Sequence, residues 1–98
     1  MADLRFTWDP RKARDNLSKH GVSFDEAATA FADERALVIA DPEHSGAEDR
    51  FVLLGLSARL RLLVVVHAYR QQEDVIRVIS ARKSTRTERR AYVERWDQ

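Results

Sequence analysis

Apolar positions in this chain recur at helical spacing in its first third and at strand spacing after it, and that order predicts the architecture. Leu4, Phe6 and Trp8 alternate with polar neighbours and predict a short first strand. Asp9-Pro10 then opens a helix, with the Asp9 carboxylate as N-cap and proline at the first helical position. The helix runs to about His20, where Gly21 supplies a C-terminal stop. Its apolar side is thin, Ala13 and Leu17, and Arg11, Lys12, Arg14 and Lys19 make the rest basic. Ser23-Phe24-Asp25-Glu26 has the form of a capping box, in which Ser23 serves the Glu26 N–H and Glu26 reaches back to Ser23. Phe24, Ala27, Ala28 and Phe31 give this second helix one apolar face, ending near Ala32.

Leu37-Val38-Ile39-Ala40 predicts a strand ended by Asp41-Pro42. After a loop come three more, about Glu48 to Ser57, Leu60 to Tyr69 and Val75 to Arg82, with connections short enough to make neighbours antiparallel. Leu62 to Val66 is apolar at every position, so that strand should be central and covered on both faces. Thr85 to Glu88 forms a second capping box for a final helix reaching about Arg95. The order β-α-α-β-β-β-β-α describes an α+β domain with a mostly antiparallel twisted sheet.

Ninety-eight residues make a single domain over 1–98. The absence of cysteine excludes a disulfide framework and a thiolate metal site, and suits a reducing compartment. Met1 to Arg5 lacks the apolar run of a signal peptide, and Leu62 to Val66 is too short to span a bilayer. The expectation is a cytoplasmic protein with no membrane partner. A net charge of +1 conceals an uneven distribution. Residues 31–50 set two arginines against six carboxylates, whereas residues 77–98 set seven cations against three carboxylates. That is the footprint of a local polyanion site.

Arg77 carries the sharpest signal, because it interrupts an apolar strand and a buried guanidinium is costly without an anion. Either a carboxylate such as Glu48 or Asp49 lies opposite, or the strand lines a site that receives an anion such as phosphate. In a regular strand Arg77 and Arg82 point to opposite faces, and a bulge near Ser80-Ala81 would reunite them. His67 ends the apolar strand as either a proton-transfer group or a backbone-bonded histidine. His20 stands at a helix C-terminus, where the dipole favours its protonated form. Glu48 and Arg50 share a face, as base and phosphate clamp or as a cross-strand pair. In the final helix Arg86, Arg89, Arg90 and Arg95 surround Tyr92 and Trp96: a surface for RNA or an acidic partner, or a solvated face over aromatic core residues. Three scattered histidines without clustered carboxylates point to no metal site, and no cofactor is assigned.

Several blocks together resemble the BrnT family of bacterial toxins. They are Phe6-Thr7-Trp8-Asp9-Pro10 with Lys12 and Asn16, Lys19 to Ala27, Phe31-Ala32-Asp33, Glu48-Asp49-Arg50, Val64-Val65-Val66-His67, and Ile76 to Lys83 with Glu88-Arg89-Arg90 and Tyr92. The resemblance covers nearly the whole chain in order, with Gly46 one residue further from the Glu-x-Arg pair than the family usually has it. It implies a RelE-like fold, a type II toxin–antitoxin role and a ribonuclease that halts translation. It also implies a BrnA-type DNA-binding antitoxin, so that DNA is reached only indirectly. RNA would be cut without metal by attack of a 2′-OH on the adjacent phosphorus. On that basis His67 is assigned as acid or base, with Glu48 or His20 as the second group. Arg50, Arg77 and Arg82 are assigned as phosphate clamps, with Lys83, Lys12, Arg86, Arg90 and Tyr92 as further RNA contacts. The antitoxin is expected over Arg82, Lys83 and the Arg86–Arg90 helix. The competing readings are a non-catalytic RNA- or protein-binding module and a gyrase-directed toxin on the same fold.

Overall fold

The computed structural model describes residues 4–41, 49–70 and 73–95. Its elements are β1 (Arg5–Thr7), α1 (Pro10–His20), α2 (Phe24–Thr29) running into a 3-10 turn (Ala30–Ala32), β2 (Leu37–Ala40), β3 (Arg50–Leu56), β4 (Leu62–Arg70), β5 (Val75–Lys83) and α3 (Arg86–Arg95). The expected order holds, and local chemistry sets the ends. Asp9 accepts the Arg11 N–H at 2.8 Å. Gly21, at φ 70°, donates its N–H to the Leu17 carbonyl at 2.9 Å and closes α1. The Thr85–Glu88 capping box forms in both directions, at 3.1 and 2.8 Å.

Two local expectations need correction. At the start of α2, Ser23 accepts the Glu26 N–H at 3.0 Å, but the Glu26 carboxylate does not return to Ser23. It turns inward, where Arg61 donates to both its oxygens and the Ser57 hydroxyl donates at 2.7 Å. Arg61 also donates to the Gly21 carbonyl at 3.1 Å, so one guanidinium ties the end of α1 and the start of α2 to the β3–β4 turn. The Arg61 hydrogen bond outweighs burial and holds the Glu26 carboxyl below its ordinary pKa. The second correction is the start of β4, which is Leu62 rather than Leu60. Leu60 is 77% exposed at φ 64°, inside a turn closed by the Ser57 N–H to the Arg61 carbonyl at 2.8 Å.

The strands form one sheet in the order β1-β5-β4-β3-β2, with β1 parallel to β5 and the other pairs antiparallel. β4 is therefore central, as its unbroken apolar run requires. On one face Leu53, Leu63, Val65, Val78 and Ala81 pack against Val22, Phe24, Ala27 and Ala30 from the α1–α2 layer. On the other face Leu54, Leu62 and Val64 lie beneath Tyr92 of α3. The Tyr92 hydroxyl donates to Asp33 at 2.5 Å, and Asp33 also accepts the backbone N–H groups of Leu56 and Arg35. Burial raises the Tyr92 pKa to about 12, with help from the Asp33 charge.

A β-bulge divides β5. His67 pairs with Val78 and Val66 with Ser80, so Ile79 has no cross-strand partner. The alternation shifts there: Val78 and Ala81, which a regular strand would send to opposite faces, both enter the α1–α2 core. β1 pairs only with Val75 to Arg77, which leaves the edge of β5 past the bulge without a strand neighbour among the described residues. α1 covers that edge. Buried Asn16 accepts the Ala81 N–H at 3.1 Å and donates to the carbonyls of Ala81 and Val22 at 2.8 and 2.9 Å. One amide side chain thus stands in for a missing strand.

Asn16→Leu keeps the volume and strands three buried backbone groups. Each unsatisfied group costs about 1–3 kcal/mol, so the variant should lose at least about 3 kcal/mol in urea unfolding. An unchanged midpoint would show that the β5 edge does not depend on Asn16.

Candidate functional site

Register decides which cations share a surface. Arg50 pairs with Ala68, Ala68 pairs with Arg77 and Arg77 pairs with Thr7, so these side chains form one row across β3, β4, β5 and β1. Residues opposite one another point the same way, and the row lies on the face that carries Val52, Val66 and Val64. This is the α3 side of the sheet, but α3 itself packs over the far end, at Leu54, Leu62 and Val64. Strand spacing puts the Arg50 and Arg77 backbones about 10 Å apart, within joint reach of one phosphate group. Ala68 between them carries only a methyl group.

The two arginines differ in their bonding. The Arg50 Nε is buried and has no hydrogen-bond partner among the described residues. Buried donors are nearly always paired, so an orphaned guanidinium N–H marks a place where an acceptor is missing. Arg77 is half-buried and is not an unpaired charge; its place in the row is what marks it.

Beside this row, between α1 and the bulge, lies a polar cleft of about 220 Å³ lined by Lys12, Asp15, Asn16, Lys19, His20, Ile79 and Ser80. The bulge puts Ser80 on the arginine face, one same-face step from Arg77 and about 7 Å along the strand. Ser80 thereby joins the cleft to the arginine row. Lys12 and His20, both expected as site residues, are brought together here. Lys19 and Ser80 join them in the cleft and Thr7 stands in the arginine row, and sequence reasoning had not assigned these three. Lys19 stood in a recognised block, but nothing in the sequence reveals that β1 pairs with β5 in parallel or that the bulge sits at Ile79.

The remaining expected residues fall elsewhere. The bulge does bring Arg82 to the face of Arg77, but its guanidinium is held by both oxygens of Glu88 at 2.8 and 2.9 Å. Lys83 pairs with Leu63 and so lies on the opposite face from Arg82. Arg86 and Arg90 stand exposed on α3. Tyr92, expected as an RNA contact, is 4% exposed and bonded to Asp33, so its ring has no face open for a base. His67 is not brought to the arginines. It pairs with Phe51 and Val78, points to the α1–α2 face, and lies edge-on to Phe31 with centroids 4.7 Å apart. It is 4% exposed, and burial lowers its pKa despite the Val65 carbonyl 3.1 Å from Nδ1. Glu48 lies outside the described residues. No three His, Asp or Glu side chains gather among the described residues to hold a metal ion, and no described helix is long and apolar enough to cross a membrane.

Residues 8–88 match the family model of the ribonuclease toxin BrnT of type II toxin–antitoxin systems. Among solved structures, the chain is similar to the Brucella abortus ribonuclease toxin BrnT, seen at 1.1 Å resolution. The match has a TM-score of 0.64 and 22% identity, and covers 86% of this chain and 100% of that one. At that identity it speaks for the fold. No curated protein matches.

The Arg82–Glu88 pair predicts an acid limb in stability. The Arg82 bonds hold the Glu88 pKa down to about 2, from an ordinary value of 4.5. Between those values the unfolded chain binds the proton and the native chain does not. The contribution of the pair is therefore complete above about pH 4.5 and fades as pH falls towards 2. Both groups are partly exposed, so the effect is modest. Thermal melting from pH 7 to 2.5 should show Glu88→Gln less stable than wild type at neutral pH, with the gap closing in acid. A gap that stays constant would exclude the ion pair as its source.

Proposed function

Since the chain belongs to the BrnT family, the ribonuclease toxins of type II toxin–antitoxin systems, we propose that it cleaves RNA on the Arg50–Arg77 row by attack of the 2′-OH on the adjacent phosphorus. It is a ribonuclease toxin and has an antitoxin partner. The buried Nε of Arg50, orphaned among the described residues and in register with Arg77, is the observation that carries the assignment of the site.

The chemistry fits a cationic sheet face. In-line attack builds a phosphorane with more negative charge on its equatorial oxygens than the substrate carries. Guanidinium groups fixed by strand register meet that charge without reorganising, and their planar forks suit two phosphoryl oxygens. Lys12 and Lys19 in the adjoining cleft hold the neighbouring backbone phosphate, and Ser80 lies between the two. His20 is the proton-transfer group in this cleft, with Glu48 as its counterpart two residues before Arg50. No step needs a metal ion. His67, on the other face, takes no part in the proton transfers, and Arg82 acts by holding α3 through Glu88. The antitoxin is of the BrnA type and masks the arginine row, and the pair works in the cytoplasm.

Purified toxin should cut single-stranded RNA in the presence of EDTA, and should spare an oligonucleotide with 2′-deoxyribose at the scissile position. Arg50→Ala and Arg77→Ala should each lower kcat about 10²–10³-fold, as loss of an oxyanion donor does. Arg50→Lys should recover only part of that loss, because an ammonium cannot span two oxygens. His20→Gln should remove one limb of the pH–rate profile. Cleavage at wild-type rates by a folded Arg50→Ala, Arg77→Ala double variant would remove this row from the reaction.

A further inference from the structure

On the α1–α2 face, past the packed core, lies a second cavity of about 250 Å³, walled by Phe31, Phe51 and Tyr69 with Leu4 and Val38 half-exposed beside it. Its lining carries no Lys, Arg, Asp or Glu. One buried polar side chain reaches it, His67. The Val65 carbonyl opposite Nδ1 fixes the neutral tautomer with its proton there, which leaves Nε2 as an acceptor. No described hydrogen bond reaches Nε2, and it is not among the fully buried unpaired atoms, so it opens into the cavity. An acceptor that opens into an apolar space is best matched by a donor on whatever fills that space.

Among the described residues the adjoining edge of the sheet is open. Asp41 donates its N–H to the Arg50 carbonyl at 2.9 Å, so the alternating backbone turns the N–H and C=O of Val38 and Ala40 away from β3. No described strand pairs on that side of β2. Val38 and Ile39 are 52% and 62% exposed, which makes β2 an apolar edge of the kind that receives an added strand. Val38 joins the two features, since its side chain lines the cavity and its backbone faces the open edge.

We propose that an extended segment of the antitoxin adds to the free edge of β2 and seats a tyrosine or tryptophan in this cavity, its O–H or N–H donating to His67 Nε2. The proposal rests on the toxin–antitoxin reading above and deepens it. Aromatic residues with a polar tip match the site, because their bodies are apolar and they carry one donor. A second copy of this chain fits less well: its own edge, Leu37 to Ala40, offers no donor side chain and would leave Nε2 unpaired. RNA fits less well too. The lining has no cation, and Tyr69 donates its hydroxyl to the Asp74 carboxylate at 3.3 Å, which places negative charge beside the cavity. That charge favours a segment with lysine or arginine near its aromatic residue.

Hydrogen exchange on the toxin alone and in complex with its cognate antitoxin tests the strand. The Val38 and Ala40 amides should exchange at least about 10-fold more slowly in the complex, as newly paired edge groups do. Val38→Lys puts a charge at an exposed position and should weaken antitoxin binding by about 30-fold or more, the threshold of an interface hot spot, while RNA cleavage by the free toxin is unchanged. His67→Phe keeps the ring, loses the acceptor and should weaken binding by up to about 10-fold. Unchanged exchange and affinity would overturn the proposal. So would loss of RNA affinity in Val38→Lys, which would assign the cavity to RNA, or conversion of a toxin dimer to monomer, which would assign the edge to a second copy. Wild-type cleavage is read separately, so a toxin that cuts RNA but binds its antitoxin elsewhere sinks this inference alone.

Discussion

The single extra residue at Ile79 governs the rest of the molecule. Before the bulge, β5 sends Ile76 and Val78 to the helical core and Arg77 to the opposite face. After it, Ala81 enters the core while Ser80 and Arg82 take the face of Arg77. Without the extra residue the phase of β5 past Val78 would invert, driving the Arg82 guanidinium into the core and Ala81 out of it. Asn16 bonds both backbone groups of Ala81, two residues past the bulge, so α1 clamps the shifted register. Arg82 reaches Glu88 only because it faces α3. The docking of two helices and the composition of the cationic face therefore share one local irregularity, and removing a backbone residue there would cost all three at once.

Charge in this protein separates into two kinds. Glu26, Asp33 and Glu88 each collect several donors, and in each the hydrogen bonds outweigh burial to favour the ionised form. They staple helices to the sheet, and they engage Arg61 and Arg82 in doing so. Arg50 is different, since its buried Nε meets no acceptor among the described residues. A count of arginines cannot make that distinction; the bonding of each guanidinium does. The near-neutral net charge is thus no argument against an anion site, because Glu26, Asp33 and Glu88 are committed to structural contacts away from Arg50.

Much of the fold was legible in the sequence because it rests on local chemistry. Asp9-Pro10, Gly21 and Thr85-x-x-Glu88 bracket their helices as their side chains require, and the apolar run at Leu62 to Val66 placed β4 at the centre. The site was less legible because it depends on pairing across the sheet. Arg50 and Arg77 were both candidates, but that they share a row follows only from register. The bulge was considered near Ser80-Ala81 and lies one residue earlier. Alternation alone cannot say which face a strand turns to the helices, and His67 turned to the helical one. Glu26 looked like a capping residue because its sequence neighbours fit that role; Arg61, thirty-five residues away, outcompetes the Ser23 N–H for its carboxylate.

The placement of His67 and Arg50 on opposite faces of neighbouring strands has a mechanical consequence. A sheet transmits alternation: a strand laid along the edge of β2 would direct every second side chain to the His67 face and the others to the arginine face. β3, which carries Arg50, lies one strand inside β2, so the added strand would run about 10 Å from the Arg50 backbone. A carboxylate at an arginine-facing position is within reach of that guanidinium, while an aromatic neighbour occupies the cavity behind. One short segment could then anchor by apolar burial on one face and silence by charge on the other. The two contacts would be obligatorily in phase, because a one-residue slip would send the aromatic residue to the arginines and the acid into an apolar cavity. Recognition and inhibition would in that case be specified by a single register, the same device that assembles the toxin's own cationic row.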